Sequence, residues 1–273
     1  MLSLAPTKNV VQSEEKSGVL FLTINRPEAR NALSAELVQE LTHIFDTIDS
    51  KTRAVVLRGT GGNFCAGGDI KDMAALMGGK LSDLAFADIE RSKVTSYSAQ
   101  IGYLLQKINN ARQAVIMILE GAVLGGGMGL ACVADIALAL PSARFGLPET
   151  TLGLVPAQVA PFIRRKIGES YARLLAVTGA QIDAFEAQQL GLVHYVADDQ
   201  DDLAQKLSDI LEHIKSCAPV ALATAKRLMT SIESTSFELP EQLGATFAAA
   251  LNGEEAREGI AAFAERRKPK WCT

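Results

Sequence analysis

Long apolar runs, metal-ligand spacings and extended basic tracks are all missing from this 273-residue chain. No stretch approaches the ~20 apolar residues that span a bilayer, so no membrane partner is expected. The first residues, Met1 to Thr7, lack the basic start of a secretory signal, and a cytoplasmic location is the default expectation. The four cysteines, Cys65, Cys132, Cys217 and Cys272, show no CxxC spacing, and His43, His194 and His213 are scattered. That pattern predicts no metal site and reads as reduced thiols. Net charge is -4, and the basic clusters Arg164-Arg165-Lys166 and Arg266-Arg267-Lys268 with Lys270 are short. Neither makes the long electrostatic track that nucleic acid requires, so no nucleic-acid partner is expected.

Hydrophobic residues make up 48% of the chain and charged residues 21%, the balance of a globular protein. A chain of this size can bury roughly three quarters of its unfolded surface and needs no staple. Val19 to Ile24 is apolar and β-rich and ends at Asn25-Arg26-Pro27, a strand followed by a turn. Ser34 then precedes Leu37, Leu41, Ile44 or Phe45, and Ile48 on one helical face, with Ser34 as N-cap. Ala54 to Arg58, Ala114 to Leu119, Ile136 to Leu140 and Val193 to Val196 read as further strands, and Leu81 to Asn110 as a mainly helical stretch. Strands alternating with helices imply an α/β core built from right-handed crossovers. After Asp198 to Asp202 the pattern is helix only: Leu203 to Cys217, Val220 to Ser231 and Leu239 to Arg267. The expected organisation is a core over 1–200 and a C-terminal helical region over 201–273.

Two glycine loops follow predicted parallel strands: Gly61 to Lys71, and Glu120 to Leu130 with Gly125-Gly126-Gly127. Glycine lets a backbone approach a ligand closely, and a helix start leaves N–H groups free. Two such loops at one sheet edge could aim two N–H groups at a single oxygen, an oxyanion hole. The same glycines also suit tight turns or helix–strand contacts. A phosphate loop is a weaker reading, because no GxxxxGK[ST] is present. The third segment is Ala143 to Pro156, in which Glu149 is the single carboxylate among apolar, glycine and proline residues. An apolar setting raises a carboxyl pKa and suits proton exchange near neutral pH, although a lone glutamate also suits a solvent-facing loop.

Taken together these segments resemble the crotonase, or enoyl-CoA hydratase/isomerase, family. The resemblance runs through Asn25-Arg26-Pro27, Asn31-Ala32-Leu33, Phe64 to Asp69, Gly121-Ala122 with Leu124 to Gly127, Asp135, Phe145 to Glu149, Leu152-Gly153, Gly179 and Ala187. It implies a spiral of ββα units with a C-terminal helical region that covers CoA or a neighbouring subunit. It also implies a homotrimer or homohexamer, and CoA only as part of the substrate, with no separate cofactor. The thioester oxygen would sit between the N–H groups of Gly68 and Gly126, with Glu149 as acid/base. Arg26, Ala29, Arg30, Ala66, Asp69, Ile70, Phe263 and Arg266 would contact CoA. Hydratases of the family carry a second glutamate where this chain has Gly129. The resemblance therefore implies hydration with Glu149 as sole acid/base, double-bond isomerisation by the same group, or a non-catalytic acyl-CoA binding protein. An RNA-binding side function is disfavoured by the acidic balance. Gly129 is expected to widen the substrate pocket for a β-branched acyl group. The segments Glu120 to Cys132, Leu154 to Phe162 and Arg267 to Trp271 are similar to hydratases of isohexenylglutaconyl and 3-methylglutaconyl thioesters, which serve acyclic terpene and leucine breakdown. A substrate carboxylate would need a cation, for which Arg144, Arg164 and Arg165 are candidates beside the plainer reading as surface arginines.

Overall fold

The computed structural model of the chain describes residues 9–69, 71, 72, 75, 91–231, 253–265 and 267–272. Its centre is a six-stranded sheet. In chain order its strands are β1 (Val11–Lys16), β2 (Val19–Ile24), β3 (Ala54–Gly59), β4 (Ala114–Leu119), β6 (Ile136–Ala139) and β9 (Tyr195–Val196), paired side by side in that order. From β2 onward all neighbours run parallel. β4 is buried at every position, as expected of a central parallel strand covered on both faces.

β1 is the exception. It pairs antiparallel with β2 through a two-residue hairpin at Ser17 and Gly18, both at positive φ. Its sequence VQSEEK exposes five of six side chains, and charge on that edge blocks pairing with another chain. A strand of that polarity carries no apolar alternation, so sequence patterning passes it over.

Helices clothe both faces of the sheet. α1 (Ala35–Thr47) starts where expected, with the Ser34 side chain accepting from the Leu37 N–H. Its Leu37, Val38 and Leu41 join Val55, Leu57, Val115, Met117 and Leu119 on one face. α2 (Arg91–Asn109) adds Leu104, Leu105 and Ile108 to the same cluster. On the other face α6 (Gln200–Ser216) lays Leu203, Ile210 and Ile214 against Val56, Ile116 and Leu138. The first C-terminal helix is thus part of the sheet's own packing. It is followed by α7 (Pro219–Ser231) and α8 (Glu254–Ala264). Residues 81–90 and 239–252 of the expected helices lie outside the described residues. Among the described residues no helix is long and apolar enough to cross a membrane.

A second, small sheet positions the site. It contains β5 (Ala122–Leu124), β7 (Arg144–Gly146) and β8 (Gln181–Asp183). β5 runs straight into α3 (Gly126–Cys132), and β7 runs into a 3-10 turn at Pro148–Leu152. α4 (Ala160–Thr178), not anticipated from the sequence, packs against α3. The short α5 (Ala184–Gln189) opens on a capping box between Asp183 and Glu186.

Candidate active site

β5 brings the three candidate segments together. On one side the first glycine loop zips onto it. Phe64 N–H donates to Glu120 O at 2.8 Å, Cys65 N–H to Ala122 O at 2.9 Å, and Leu124 N–H to Cys65 O at 3.0 Å. Cys65 and Val123 form a parallel bridge. Carrying that register forward three residues sets Gly68 opposite Gly126. On the other side β7 pairs in parallel, Leu124 with Gly146, and Gly125 N–H donates to Gly146 O at 2.9 Å. Glu149 lies three residues beyond that contact. Two loops 58 positions apart and one carboxylate therefore converge on a single turn.

The turn itself needs glycine. Gly125 has φ 51° and ψ -114°, a conformation that side chains rarely adopt. A Cβ there would stand 2.7 Å from Glu149 Oε1, so the carboxylate rests over the turn. The Gly126 N–H opens α3 and has no acceptor within the helix. No hydrogen bond among the described residues engages the Gly68 N–H, because the flanking bonds, Leu33 N–H to Gly67 O and Asp69 N–H to Leu33 O, leave it between them. Leu33 steadies both donors. Its backbone bridges Gly68, and its Cδ1 lies 2.6 Å from where a Gly126 Cβ would be.

Glu149 carries the site's distinctive electrostatics. Its Oε2 is buried without a hydrogen-bond partner. Burial pushes its carboxyl pKa above the ordinary glutamate value, against a smaller opposing pull from its own backbone. The nearby Cys65 thiol is pushed up to about 12 by burial and stays protonated, inert packing beside the turn.

The residues expected to contact CoA divide. Arg26, Ala29 and Arg30 are brought to the first glycine loop by the Pro27–Ala29 turn, with Ala66 N–H donating to Arg30 O at 3.0 Å. Arg26 and Asp69 meet each other in an ion pair at 2.8 Å, and Asp69 is buried. Burial acts to raise the Asp69 carboxyl, but hydrogen bonds from Arg26 and from the Lys71 backbone, with the guanidinium charge, hold it below the usual aspartate value. Those two side chains brace the loop. Ile70 and Arg266 lie outside the described residues, and of Phe263 only the backbone, in α8, is described.

One expectation requires correction. Gly129 does not open the substrate pocket. A Cβ at Gly129 would lie 2.4 Å from Val159 Cγ1 and 3.2 Å from Leu105 Cδ1. The space left by the missing side chain is filled by Val159 and Leu105, both buried. Gly129 N–H donates to Gly125 O, so the two glycines stand one helical turn apart. Val159 packs on one turn as Glu149 rests over the other. Nothing in the sequence joins Val159 to Gly129, 30 residues earlier, and patterning missed it. Asn31 was passed over as a site residue too. Its amide donates to Thr60 O at 2.9 Å and Asn63 O at 2.6 Å, and its Oδ1 accepts from Arg26 N–H, anchoring the loop base.

Of the arginines considered for a substrate carboxylate, Arg144 donates to Pro141 O and Ala143 O in its own segment. Arg164 is exposed and pairs with Glu169. Arg165 faces a recess at the far end of α3. None is brought to Glu149. Among the described residues no cluster of three His, Cys, Asp or Glu side chains could hold a metal ion.

Comparison with known proteins gives the family of the chain. A model of the enoyl-CoA hydratase/isomerase family matches residues 14–273. The chain is 34% identical over 257 residues to a probable enoyl-CoA hydratase of Bacillus subtilis, covering 93% of this chain and 95% of that protein. Among solved structures it is similar to an enoyl-CoA hydratase/isomerase from Marinobacter aquaeolei, with 44% identity, a TM-score of 0.90, and 97% and 99% of the two chains covered. It is equally similar to Pseudomonas aeruginosa AtuE, with 44% identity, a TM-score of 0.89, and 97% and 100% covered. The fold expected from the resemblance is the fold these structures share.

Proposed function

Since the chain belongs to the enoyl-CoA hydratase/isomerase family, we propose that it adds water across the double bond of an α,β-unsaturated acyl-CoA, with Glu149 as its sole proton carrier. The observation that carries this reading is the buried, unpartnered Oε2 of Glu149 beside the Gly125-Gly126 turn. A carboxylate with an orphaned oxygen at a glycine-lined opening is poised to accept a proton from bound water.

The proposed sequence of events is as follows. The thioester oxygen lies between the N–H groups of Gly68 and Gly126. Glu149 takes a proton from water as the oxygen adds to the β-carbon. The π electrons move onto the thioester oxygen, where two fixed donors stabilise the enolate. Each such donor is worth about 3 kcal/mol of barrier. Glu149 then returns a proton to the α-carbon, the carbonyl re-forms, and the net change is one water gained. In this reading the Arg26 to Arg30 turn and Ala66 contact the CoA chain, with the Arg26–Asp69 pair bracing that loop.

The acyl group we propose is β-branched. That part rests on the similarity of the Glu120 to Cys132, Leu154 to Phe162 and Arg267 to Trp271 segments to branched-glutaconyl hydratases, and not on open space at Gly129. Val159 favours a second reading. With an apolar side chain where a second carboxylate would reach, Glu149 could instead move one proton between carbons, which is isomerisation.

Product mass separates the two. Purified protein is given crotonyl-CoA and a 3-methylglutaconyl-type thioester, and loss of the conjugated absorbance is followed with mass analysis. A gain of 18 mass units, about one water, is the expected result. Loss of absorbance at unchanged mass replaces hydration with isomerisation, and binding without turnover removes both.

A further inference from the structure

A recess of about 330 Å³ lies at the opposite end of α3 from the glycine turn. Its wall begins at Cys132, six residues or about 9 Å along the helix from Gly126. It is formed by the end of α3, one face of α4 and one face of α7, none of which the proposed chemistry uses there. Its size falls at the lower end of the range for small-molecule sites, about 300–1,000 Å³.

Two ammonium groups converge on it. Lys226 reaches from α7, its side chain only 9% exposed, and donates to Asp135 Oδ2 at 2.6 Å and to Gln113 O at 3.0 Å. Lys166 reaches from α4 and donates to Ala134 O at 3.3 Å. Asp135 Oδ2 also accepts the Val115 N–H at 2.8 Å, so one carboxylate oxygen already serves a backbone donor and a lysine. Among the described lining residues Asp135 is the only carboxylate, set against Lys166 and Lys226.

Burial lowers the pKa of Lys166, against opposing pulls from Cys132 and Asp135 and with a smaller lowering by Arg165. Burial also lowers Lys226 despite its aspartate partner. His194, nearby, is lowered by burial and then by the Lys166 charge. Lys166 is half-buried, and with one long carbonyl acceptor among the described residues its ammonium has donors left for a further acceptor. Phe162, Val133 and Met229 supply an apolar part of the wall, and Asn109 and Thr230 add polar side chains.

We propose that this recess binds a small organic carboxylate, its anionic group between Lys166 and Lys226 and its short hydrocarbon portion against Phe162 and Val133. The anion supplies the acceptors that Lys166 lacks and neutralises the charge that Asp135 leaves over. The site is separate from the glycine turn, so the inference stands whether the catalytic reading is hydration or isomerisation.

The test is calorimetric titration of the full chain with hexanoate, 1-hexanol and inorganic phosphate at low ionic strength. Hexanoate is expected to bind one per chain, more tightly than either control, and to remain bound when the catalytic pocket is saturated with a CoA thioester. Lys166→Met is expected to weaken hexanoate at least tenfold while leaving thioester turnover unchanged, because Lys166 bonds Ala134 O, beyond the end of α3 that lies away from the glycine turn. Lys166→Gln serves the same purpose if the Met variant fails to fold. Five results overturn the proposal. They are no heat with hexanoate, equal affinity for hexanol, equal affinity for phosphate, displacement by the thioester, and a folded Lys166 variant with unchanged affinity.

Discussion

Glu149 combines two properties that pull against each other. One oxygen of its carboxylate, Oε2, is buried without a partner, which costs stability when ionised, and the proposed chemistry needs it ionised. Removing the charge separates the two. Glu149→Gln is expected to lower kcat by about 10²–10⁴, the usual worth of a positioned acid/base, with little change in thioester affinity. The same variant is expected to melt higher than the parent at neutral pH. The sign follows from the raised pKa: the folded state holds the proton more tightly than the unfolded one. Stability from this group is therefore full below the unfolded glutamate value, ~4.3, and is lost as pH rises through the folded value. A melting series from acidic to neutral pH checks it: the two proteins should converge in acid and separate above. The acid limb of kcat/KM should likewise sit above the ordinary glutamate range, and a limb at or below that range would remove Glu149 as the base. Gly129 makes the second argument at this scale. Gly129→Glu alone drives a side chain into Val159 and should destabilise by about 1–3 kcal/mol, the range for overpacking. Adding Val159→Ala frees the space, and recovery of stability in the double variant, read by denaturant unfolding, is the expected outcome. Additive losses would mean the two sites do not share that volume.

At the scale of elements, the site is an alignment of loop ends by β5. Its three residues are flanked by Cys65 on one side and Gly146 on the other, so a shift of β5 moves both N–H donors and the carboxylate at once. Gly127 shows how tight that alignment is. A Cβ there would stand 2.3 Å from the Cys65 carbonyl oxygen, a backbone atom that cannot swing aside. Gly127→Ala should push the two loops apart, cost about 1–3 kcal/mol, and depress kcat more than KM. Unaltered kcat in a folded Gly127→Ala protein would show that the donors tolerate such a shift. This scale also explains what was legible in the sequence. β2, β4 and the start of α1 were readable because apolar runs and the Ser34 cap are local signals. Glu149 and the two glycine loops were readable as segments, since each is an anomaly in its own stretch. β1 was not, because a charged edge strand looks like a loop. β5, β7 and β8 were not, since three-residue strands carry no periodicity. Val159 against Gly129 and Asp69 against Arg26 were hidden for a further reason: each is a tertiary pairing between positions 30 and 43 apart, and only the finished fold sets them in contact.

For the molecule as a whole, the question is what fastens the C-terminal helices to the sheet that carries the site. Apolar packing of α6 is one part, and Arg53 is the other. It sits one residue before β3 and directs its guanidinium to the C-terminal end of α6. There it donates to Ile214 O at 3.2 Å and to Cys217 O, and it reaches Trp271 O at 3.4 Å in the final turn. The last carbonyls of a helix have no partners of their own and carry the negative end of the helix dipole, so a cation there both satisfies and neutralises them. Trp271 closes the same joint from the other side, its indole N–H donating to Ser216 O at 3.0 Å. Arg53 thus ties the root of β3, the end of α6 and the end of the chain at one point, far along the sheet from Gly68. Arg53→Met keeps the stem and removes the donors. It is expected to lower stability by about 0.5–1.5 kcal/mol, the net worth of a hydrogen bond at a part-buried joint, and to speed amide exchange across Gln200–Ser216. Turnover should be unaffected at temperatures where the protein stays folded, because the glycine loops are braced by the separate Arg26–Asp69 pair. A fall in kcat without loss of stability would show instead that the helical tail governs the catalytic turn, and that sheet, tail and site act as one unit.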